Sequence, residues 1–362
     1  TVQEIAQWVE YMTFDGESPM TELRKQNGRE KPWKVKFLGI GNETWGCGGN
    51  MTADFYSNIY RQFATYCKNY GDNRLFKIAV GPSSDDYNWM ETIMKNVGRQ
   101  ANGISLHHYS VPSWRGSKGS ATQFGEDEYY KIISMAYKME ELVTKHSTIM
   151  DKYDPDKTIG LMVDEWGSWY DVEPGTNPGF LYQQNTMRDA ILAGMTLNIF
   201  NNHCDRVRMA NIAQIVNVLQ ALFLTEGEKM ILTPTFHIFD MYKVHQDATM
   251  LPTTVRTNFL PYENRTQPQL SVSASKDADG LIHISLVNTD LNEDLEVTCT
   301  LNSDAKLTKN GGQIVTSDKI QDHNTFENPD VITLKNFDNY TLKENKLTIK
   351  VPAKSVITLC LK

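Results

Sequence analysis

Between residue 35 and about residue 246, short β-branched or apolar runs alternate with longer stretches of helical period, a pattern that implies parallel strands joined by crossover helices. The strand candidates are residues 35–40, 75–80, 104–108, 158–163 and 196–200. Between them, Phe55, Ile59, Phe63 and Tyr66 recur at helical spacing behind a Thr52 cap, and Gly71 ends that run. Trp89, Ile93 and Val97 predict a second helix, and Ile132, Ala136, Met139 and Val143 a third. Residues 181–195 and 207–224 read as a fourth and a fifth, and the aromatic-rich stretch 236–245 as the helix that closes the domain.

Beyond residue 247 the pattern changes to period-two runs between polar turns, as in Ile282, Ile284 and Leu286, then Leu347, Ile349 and Val351. The expected division is therefore a β/α domain over residues 1–246 and a β-sandwich, jelly-roll-like, over residues 247–362. An eight-stranded barrel needs about 250 residues, and five βα units supply fewer strands than closure requires. The chain also opens directly on a helical pattern, residues 2–11, with no strand before it. The reading is an α/β fold of the (β/α)8 TIM-barrel type with its first strands absent from this chain; the competing reading is a complete open sheet.

Composition narrows the partners. Asp and Glu outnumber Lys and Arg by 44 to 36, and no basic run interrupts that balance, so no nucleic-acid footprint is visible. No apolar stretch approaches the roughly 18 residues of a membrane span, and no charged-then-apolar leader opens the chain. The expectation is a soluble protein with no membrane contact. Five cysteines, Cys47, Cys67, Cys204, Cys299 and Cys360, are odd in number and widely spaced, which suits free thiols and leans towards a reducing compartment, leaving cytoplasm and periplasm both open.

Three strand ends run straight into polar and aromatic residues: Gly41-Asn42-Glu43-Thr44-Trp45-Gly46, His107-His108-Tyr109, and Asp164-Glu165-Trp166-Gly167-Ser168-Trp169. In a β/α barrel such residues share one mouth at the carboxyl ends of the strands. The stretch from Glu43 to Glu165 fits three βα units, placing the two on the fourth and seventh strands if three strands precede them. Two carboxyls across a cleft with Trp, Tyr, Asn and His suit glycosidic hydrolysis, in which one protonates the leaving oxygen while the other attacks or stabilises the oxocarbenium carbon. His107 and His108 could ligate a metal, but no carboxylate or third His sits at ligand spacing, so hydrogen bonding is favoured and no metal or cofactor is expected. His203 and Asp205-Arg206 fit either a pocket rim or a salt-bridged loop. Cys47 lacks the Cys-His-Asn surroundings of a nucleophile, and Gly46-Cys47-Gly48-Gly49 reads as a tight turn at the rim rather than a phosphate loop.

Asn42-Glu43 after a strand resembles the signature of the large clan of retaining (β/α)8 glycosidases. The wider strings GIGNETWGCGGNM, MVDEWGSWYDVEPG, DAILAGMTLNIF, HCDRVRMANIAQIVNVLQALFLT and TPTFHIFDMY resemble glycoside hydrolase family 51, the α-L-arabinofuranosidases, over residues 1 to about 250. That resemblance implies an exo-acting, retaining enzyme that removes terminal α-L-arabinofuranosyl residues from arabinose-containing oligosaccharides and polysaccharides such as arabinan and arabinoxylan. It implies Glu43 as acid/base, Glu165 as nucleophile and Asn42 on the sugar 2-hydroxyl. Among substrate-binding residues it implies Tyr109 beside the nucleophile, Trp169 as a subsite aromatic and Gln214 reaching the arabinose, with His107 of the adjoining strand end counted among them. The Arg-Tyr/Phe-Pro-Gly-Gly-Asn segment and upstream Glu that bind the furanose in the family are absent from this sequence. A homo-oligomer, common in the family, or a second chain supplying the missing strands is the corresponding partner expectation.

From their roles, Glu43 should have the higher pKa and Glu165 should stay ionised, with the carboxyls about 5 to 5.5 Å apart for retention. Two other readings remain: a different retaining specificity on the same scaffold, such as a β-xylosidase or endoglucanase, and a non-catalytic sugar-binding subunit or fragment.

Overall fold

A computed structural model describes residues 1–302 and 306–362 of the chain. The chain divides into two compact units, one of Thr1–His107, Leu142–Asp164 and Asp205–Met209, the other of His108–Glu141, Glu165–Cys204 and Ala210–Lys362.

The order from the amino terminus is α1 (Val2–Thr13), α2 (Pro19–Gln26), β1 (Phe37–Ile40), α3 (Ala53–Tyr66), β2 (Phe76–Ala79), α4 (Tyr87–Asn96), β3 (Gly103–Ser110), α5 (Glu126–Tyr153), β4 (Gly160–Ser168), α6 (Met187–Asn202) and β5 (Val207–Ile212). The five strands form one sheet in sequence order, with β1, β2 and β3 paired in parallel, as successive βα units dictate. In the first unit the helices are pinned to this sheet by buried polar groups as well as by apolar stripes. The Tyr56 hydroxyl donates to the Ile40 carbonyl at 2.6 Å and accepts from the Val80 amide at 2.7 Å, joining α3 to the ends of β1 and β2. Trp89 of α4 donates its indole N–H to the Val80 carbonyl at 3.0 Å. Thr52 caps α3, accepting from the Phe55 amide.

Two expected elements change type. Residues 196–200 lie inside α6, and the strand is Val207–Ile212, at the start of the expected fifth helix. The cause is burial: α6 is buried on nearly every face, so its apolar run carries no amphipathic period and resembles a buried strand. What fixes the helix is its start, where the Thr186 side chain accepts from the Arg188 amide and the Asp189 side chain accepts from the Thr186 amide. Residues 207–224 could not continue as a helix, because Asn217 and Leu219 adopt φ of 58° and 51°.

The second unit continues with the hairpin β6 (Phe223–Glu226) and β7 (Lys229–Leu232), then α7 (Pro234–Tyr242). The strands that follow are β8 (Thr249–Met250), β9 (Phe259–Tyr262), β10 (Arg265–Pro268), β11 (Leu270–Lys276), β12 (Ile282–Asn288), β13 (Leu295–Thr300), β14 (Lys309–Thr316), β15 (Lys335–Asn336), β16 (Tyr340–Lys343), β17 (Lys346–Val351) and β18 (Ser355–Leu361). A six-stranded sheet, β15-β14-β18-β12-β11-β8, and a three-stranded one, β13-β17-β16, share a core of Ile284, Leu286, Ile314, Leu347, Ile349 and Leu359. The period-two alternation of β12 serves both of its faces: Ile284 and Leu286 enter that core, while Ser285 on the other face accepts a hydrogen bond from, or donates one to, His245 at 2.7 Å. Helix α6 packs on β11 and β12, and Gly194 makes the approach possible, since a Cβ there would stand 3.0 Å from Val287. Asn198 of the same helix accepts from Ser273 at 2.7 Å and from Tyr242 at 3.0 Å, satisfying polar groups that the packing buries.

Candidate active site

In the first unit the site is built from the ends of β1 and β3 and from Asp164 of β4. Glu43 lies three residues beyond β1 in the left-handed region, φ 44°, which costs a non-glycine residue on the order of 1 kcal/mol and persists only where the surroundings impose it. The surroundings are the turn that follows. The Glu43 carbonyl accepts from the Gly46 amide at 2.8 Å and the Gly48 amide at 3.0 Å, and the Met51 amide returns to the Thr44 carbonyl at 2.7 Å. Gly48 is obligatory here, because a Cβ would lie 1.8 Å from the Asn42 carbonyl oxygen. Asn42 itself is exposed.

His107, 6% exposed, reaches Glu43 through Nδ1, 2.8 Å from Oε1, and its Nε2 lies 3.2 Å from Asp164 Oδ1 without hydrogen-bond alignment. The absence of a nearby carboxylate expected from sequence spacing is thus corrected: two carboxylates meet this imidazole, brought together by strands far apart in sequence. The backbone of His107 is fixed as well, donating to Pro82 and accepting from Ser84 at 2.8 Å. Trp45 donates to the Gly81 carbonyl at 3.2 Å and presents its ring edge-on to His107 at 6.4 Å. In the second unit, His108 Nε2 is bonded to the Met135 carbonyl at 3.2 Å.

The His107 hydrogen bond pulls the Glu43 carboxyl below the ordinary carboxylate range, and the Cys47 thiol adds to this, together outweighing the burial that pushes the other way. The raised pKa expected of a general acid is therefore not a property of this arrangement in the absence of sugar.

In the second unit the Tyr109 hydroxyl donates to Glu165 Oε1 in a short hydrogen bond. Trp169 packs edge-on against Tyr109 at 5.1 Å and against Trp114 at 5.6 Å, and the Lys118 ammonium sits 5.5 Å from the Trp169 ring centre. Trp114 is 66% exposed and joins this aromatic group from a loop whose sequence gave no periodic signal. The backbone after Glu165 is locked from beneath. Gly167 has φ 140°, the Ser168 amide donates to Gln220 Oε1 at 2.9 Å, and the Ser168 hydroxyl donates to buried Asp189 at 2.7 Å. Gln214 is exposed, while its neighbour Ala213 is buried with Tyr109 and Leu219.

The pocket-rim alternative for His203, Asp205 and Arg206 gives way to the salt-bridged one. His203 pairs with Glu140 at 2.8 Å, Asp205 with Lys157, and Arg206 with Asp151 and Asp154. None of the five cysteines forms a disulfide, and no helix among the described residues is long and apolar enough to cross a membrane.

Glu43, just beyond β1 and held by His107, and Glu165, within β4 and held by Tyr109 beside Trp169, are groups of the kind glycosidase chemistry uses. Residues 1–129 match the α-L-arabinofuranosidase 1 domain family and residues 164–355 the α-L-arabinofuranosidase C-terminal domain family. The chain is 52% identical over 360 residues to an intracellular exo-α-L-arabinofuranosidase of Bacteroides ovatus, covering 99% of this chain and 70% of that one. The fold is similar to the crystal structure of the family 51 arabinofuranosidase of Xanthomonas axonopodis pv. citri, with TM-score 0.97, 43% identity, and 100% of this chain against 73% of that one. It is also similar to the α-L-arabinofuranosidase of Thermotoga maritima solved with arabinose, with TM-score 0.81, 26% identity and the same 100% and 73% coverage. The chain belongs to glycoside hydrolase family 51, the α-L-arabinofuranosidases, and its fold is of that family's (β/α)8-barrel and β-domain class, with five strands of the β/α sheet among the described residues.

Proposed function

We propose that this chain releases terminal non-reducing α-L-arabinofuranosyl residues by double displacement, with Glu165 as nucleophile and Glu43 as general acid/base. The observation that carries the assignment is the imidazole of His107, which contacts Glu43 on one nitrogen and, on the other, Asp164, the residue immediately before Glu165.

In the first step a Glu165 carboxylate oxygen bonds to the anomeric carbon, the bond to the leaving oxygen breaks, and that oxygen takes the proton from Glu43. In the second, Glu43 takes a proton from water, the water oxygen bonds to the anomeric carbon, and Glu165 departs. Tyr109 orients Glu165 through Oε1. Glu43 must be protonated when sugar is bound although His107 depresses its pKa, and the aglycone, by excluding water from the half-buried carboxyl, supplies the opposing push. Asn42 bonds the 2-hydroxyl, Trp169 stacks on the sugar, and His107 and Gln214 complete the polar contacts.

In this reading residues 1–246 are the catalytic portion and 247–362 the supporting β-domain. An arabinose-containing oligosaccharide or polysaccharide is the partner required, whether the chain acts alone, as a homo-oligomer or beside a second chain. Five cysteines without a disulfide and the intracellular relative favour the cytoplasm over the periplasm.

Release of 4-nitrophenol from its α-L-arabinofuranoside, with the β-xyloside and β-glucoside in parallel, tests the proposal. Turnover of the arabinofuranoside that disappears in Glu165→Gln is expected. Preference for another glycoside would replace the specificity, and sugar binding without turnover would replace the enzyme with a binding subunit.

A further inference from the structure

The turn after Glu43 holds more than backbone. Its amides at Gly46 and Gly48 close on the Glu43 carbonyl, and this curl carries the intervening side chain, Cys47, back over the Glu43 carboxylate. The Cys47 Sγ lies 3.3 Å from Glu43 Oε2, within reach of a thiol hydrogen bond, while His107 Nδ1 occupies Oε1 at 2.8 Å. The two carboxylate oxygens thus have different partners. In the tautomer that carries the His107 proton on Nδ1, Oε1 accepts it, and Oε2, the oxygen under the thiol, is the atom that carries the proton for a leaving group.

We propose that Cys47 is a positioning residue for the acid/base step: its thiol fixes the plane of the Glu43 carboxylate and, as a donor to Oε2, favours the ionised form over the protonated one. This rests on Glu43 being the acid/base. A thiol is a weak donor and a weak acceptor. It can donate to Oε2 when Glu43 is ionised and rotate to accept when Glu43 is protonated, so it holds the carboxyl in one orientation through both half-reactions without trapping either state. The groups that bear on the titration of Glu43 are His107 of β3 and, beyond that ring, Asp164 of β4, with Glu165 next along the same strand. Cys47 is the contact contributed by the turn itself. It is exposed on its outer side, so replacing it leaves no cavity in a core.

The experiment measures kcat and kcat/KM against pH for Cys47→Ala, Cys47→Ser and Glu43→Gln beside the parent chain. Methyl α-L-arabinofuranoside is the substrate, because its poor leaving group makes the proton indispensable. Loss of the thiol in Cys47→Ala removes a donor to the carboxylate, so the alkaline limb of kcat/KM moves up by about half to one pH unit, the span to which a weak donor's hydrogen bond converts. With the carboxyl less well aimed, kcat falls several-fold while KM changes little, and the Ser hydroxyl restores the parent profile. An Ala profile superimposable on the parent's, or a Ser variant that behaves as Ala does, overturns the role of Cys47. Glu43→Gln, read on the 4-nitrophenyl glycoside, whose leaving group departs without a proton, separates the two layers of the argument: it should lack the alkaline limb, and if the limb survives in that variant the acid/base reading itself falls, and the Cys47 proposal with it.

Discussion

Arg206 precedes β5 and is 1% exposed, yet it carries a full charge. Its guanidinium donates from Nη1 to Asp154 Oδ2 at 2.8 Å and the Ile159 carbonyl at 2.9 Å, and from Nη2 to the Asp154 carbonyl at 2.9 Å and the Asp151 carboxylate. Asp154 directly follows α5 and opens the turn after it, and Ile159 leads into β4, so this one side chain fastens the start of the strand that later presents Glu165. Arg206→Met keeps the stem and deletes the charge. Asp154, 0% exposed, then retains the Thr158 hydroxyl and the Ile159 amide, both at 2.7 Å, while the Ile159 carbonyl loses this donor and the Asp154 carbonyl keeps the Lys157 amide at 3.0 Å. Removing one member of a buried pair costs about 3–5 kcal/mol, and the donors left to Asp154 put this case near the lower end, about 3 kcal/mol. The Arg206 Nε atom has no partner among the described residues, so the pair is already imperfectly compensated and a larger loss is not expected. Urea unfolding followed by tryptophan fluorescence reads this directly, and in the cycle with Asp154→Asn the two changes should fall short of additivity by about 1–2 kcal/mol. A loss below about 0.5 kcal/mol, or full additivity, would refute the account.

The same aspartate gives a pH dependence. Burial pushes its pKa up, but hydrogen bonds from Thr158, Ile159 and Arg206 win and hold it at about 2, so the stability it contributes is complete above its ordinary value of 3.8 and is lost as pH falls towards 2. Unfolding titrations of the parent between those pH values should show a steeper decline than those of Asp154→Asn. Tyr109→Phe deletes the hydroxyl on Glu165 and keeps the ring against Trp169, so kcat/KM should fall about ten- to a hundredfold with unchanged thermal stability, as expected for a hydrogen bond to a charged group. An unaltered rate would detach Tyr109 from the nucleophile.

The apolar starts of the strands were the legible part of this molecule, and Glu43 does lie just beyond β1. The expected ends of β3 at 108 and β4 at 163 are too early, since the strands continue to Ser110 and Ser168 and carry His107 and Glu165 within them, the polar side chains being held in the sheet by partners on other segments. The β-domain was legible from its period-two runs: β17 buries alternate residues, while β12, enclosed on both faces, sends Ile284 and Leu286 to one side and Ser285 to the other. What sequence could not show depends on packing at a distance. The first part of α6 was legible as a helix over residues 181–195, but nothing local told its last turns, residues 196–200, from a strand, because a helix enclosed on all sides has no polar face to reveal its period. Nothing local brought Asp164 to His107, since adjacent parallel strands join residues separated by an entire βα unit. Cys47 could be weighed only as a nucleophile until the curl of the turn showed its thiol against Glu43. Trp114 sits in an irregular loop and joins the aromatic group through its contact with Trp169.

The division of labour between the two glutamates is most directly tested by azide added to Glu43→Ala and Glu165→Ala acting on an activated aryl α-L-arabinofuranoside. With Glu165 intact, the sugar passes to it with inversion and azide then attacks from the opposite face, so Glu43→Ala should yield the α-L-arabinofuranosyl azide. With Glu165 removed, azide takes its place in a single displacement, and Glu165→Ala should yield the β-anomer. Exchange of the two products, or the same anomer from both variants, would contradict the assignment.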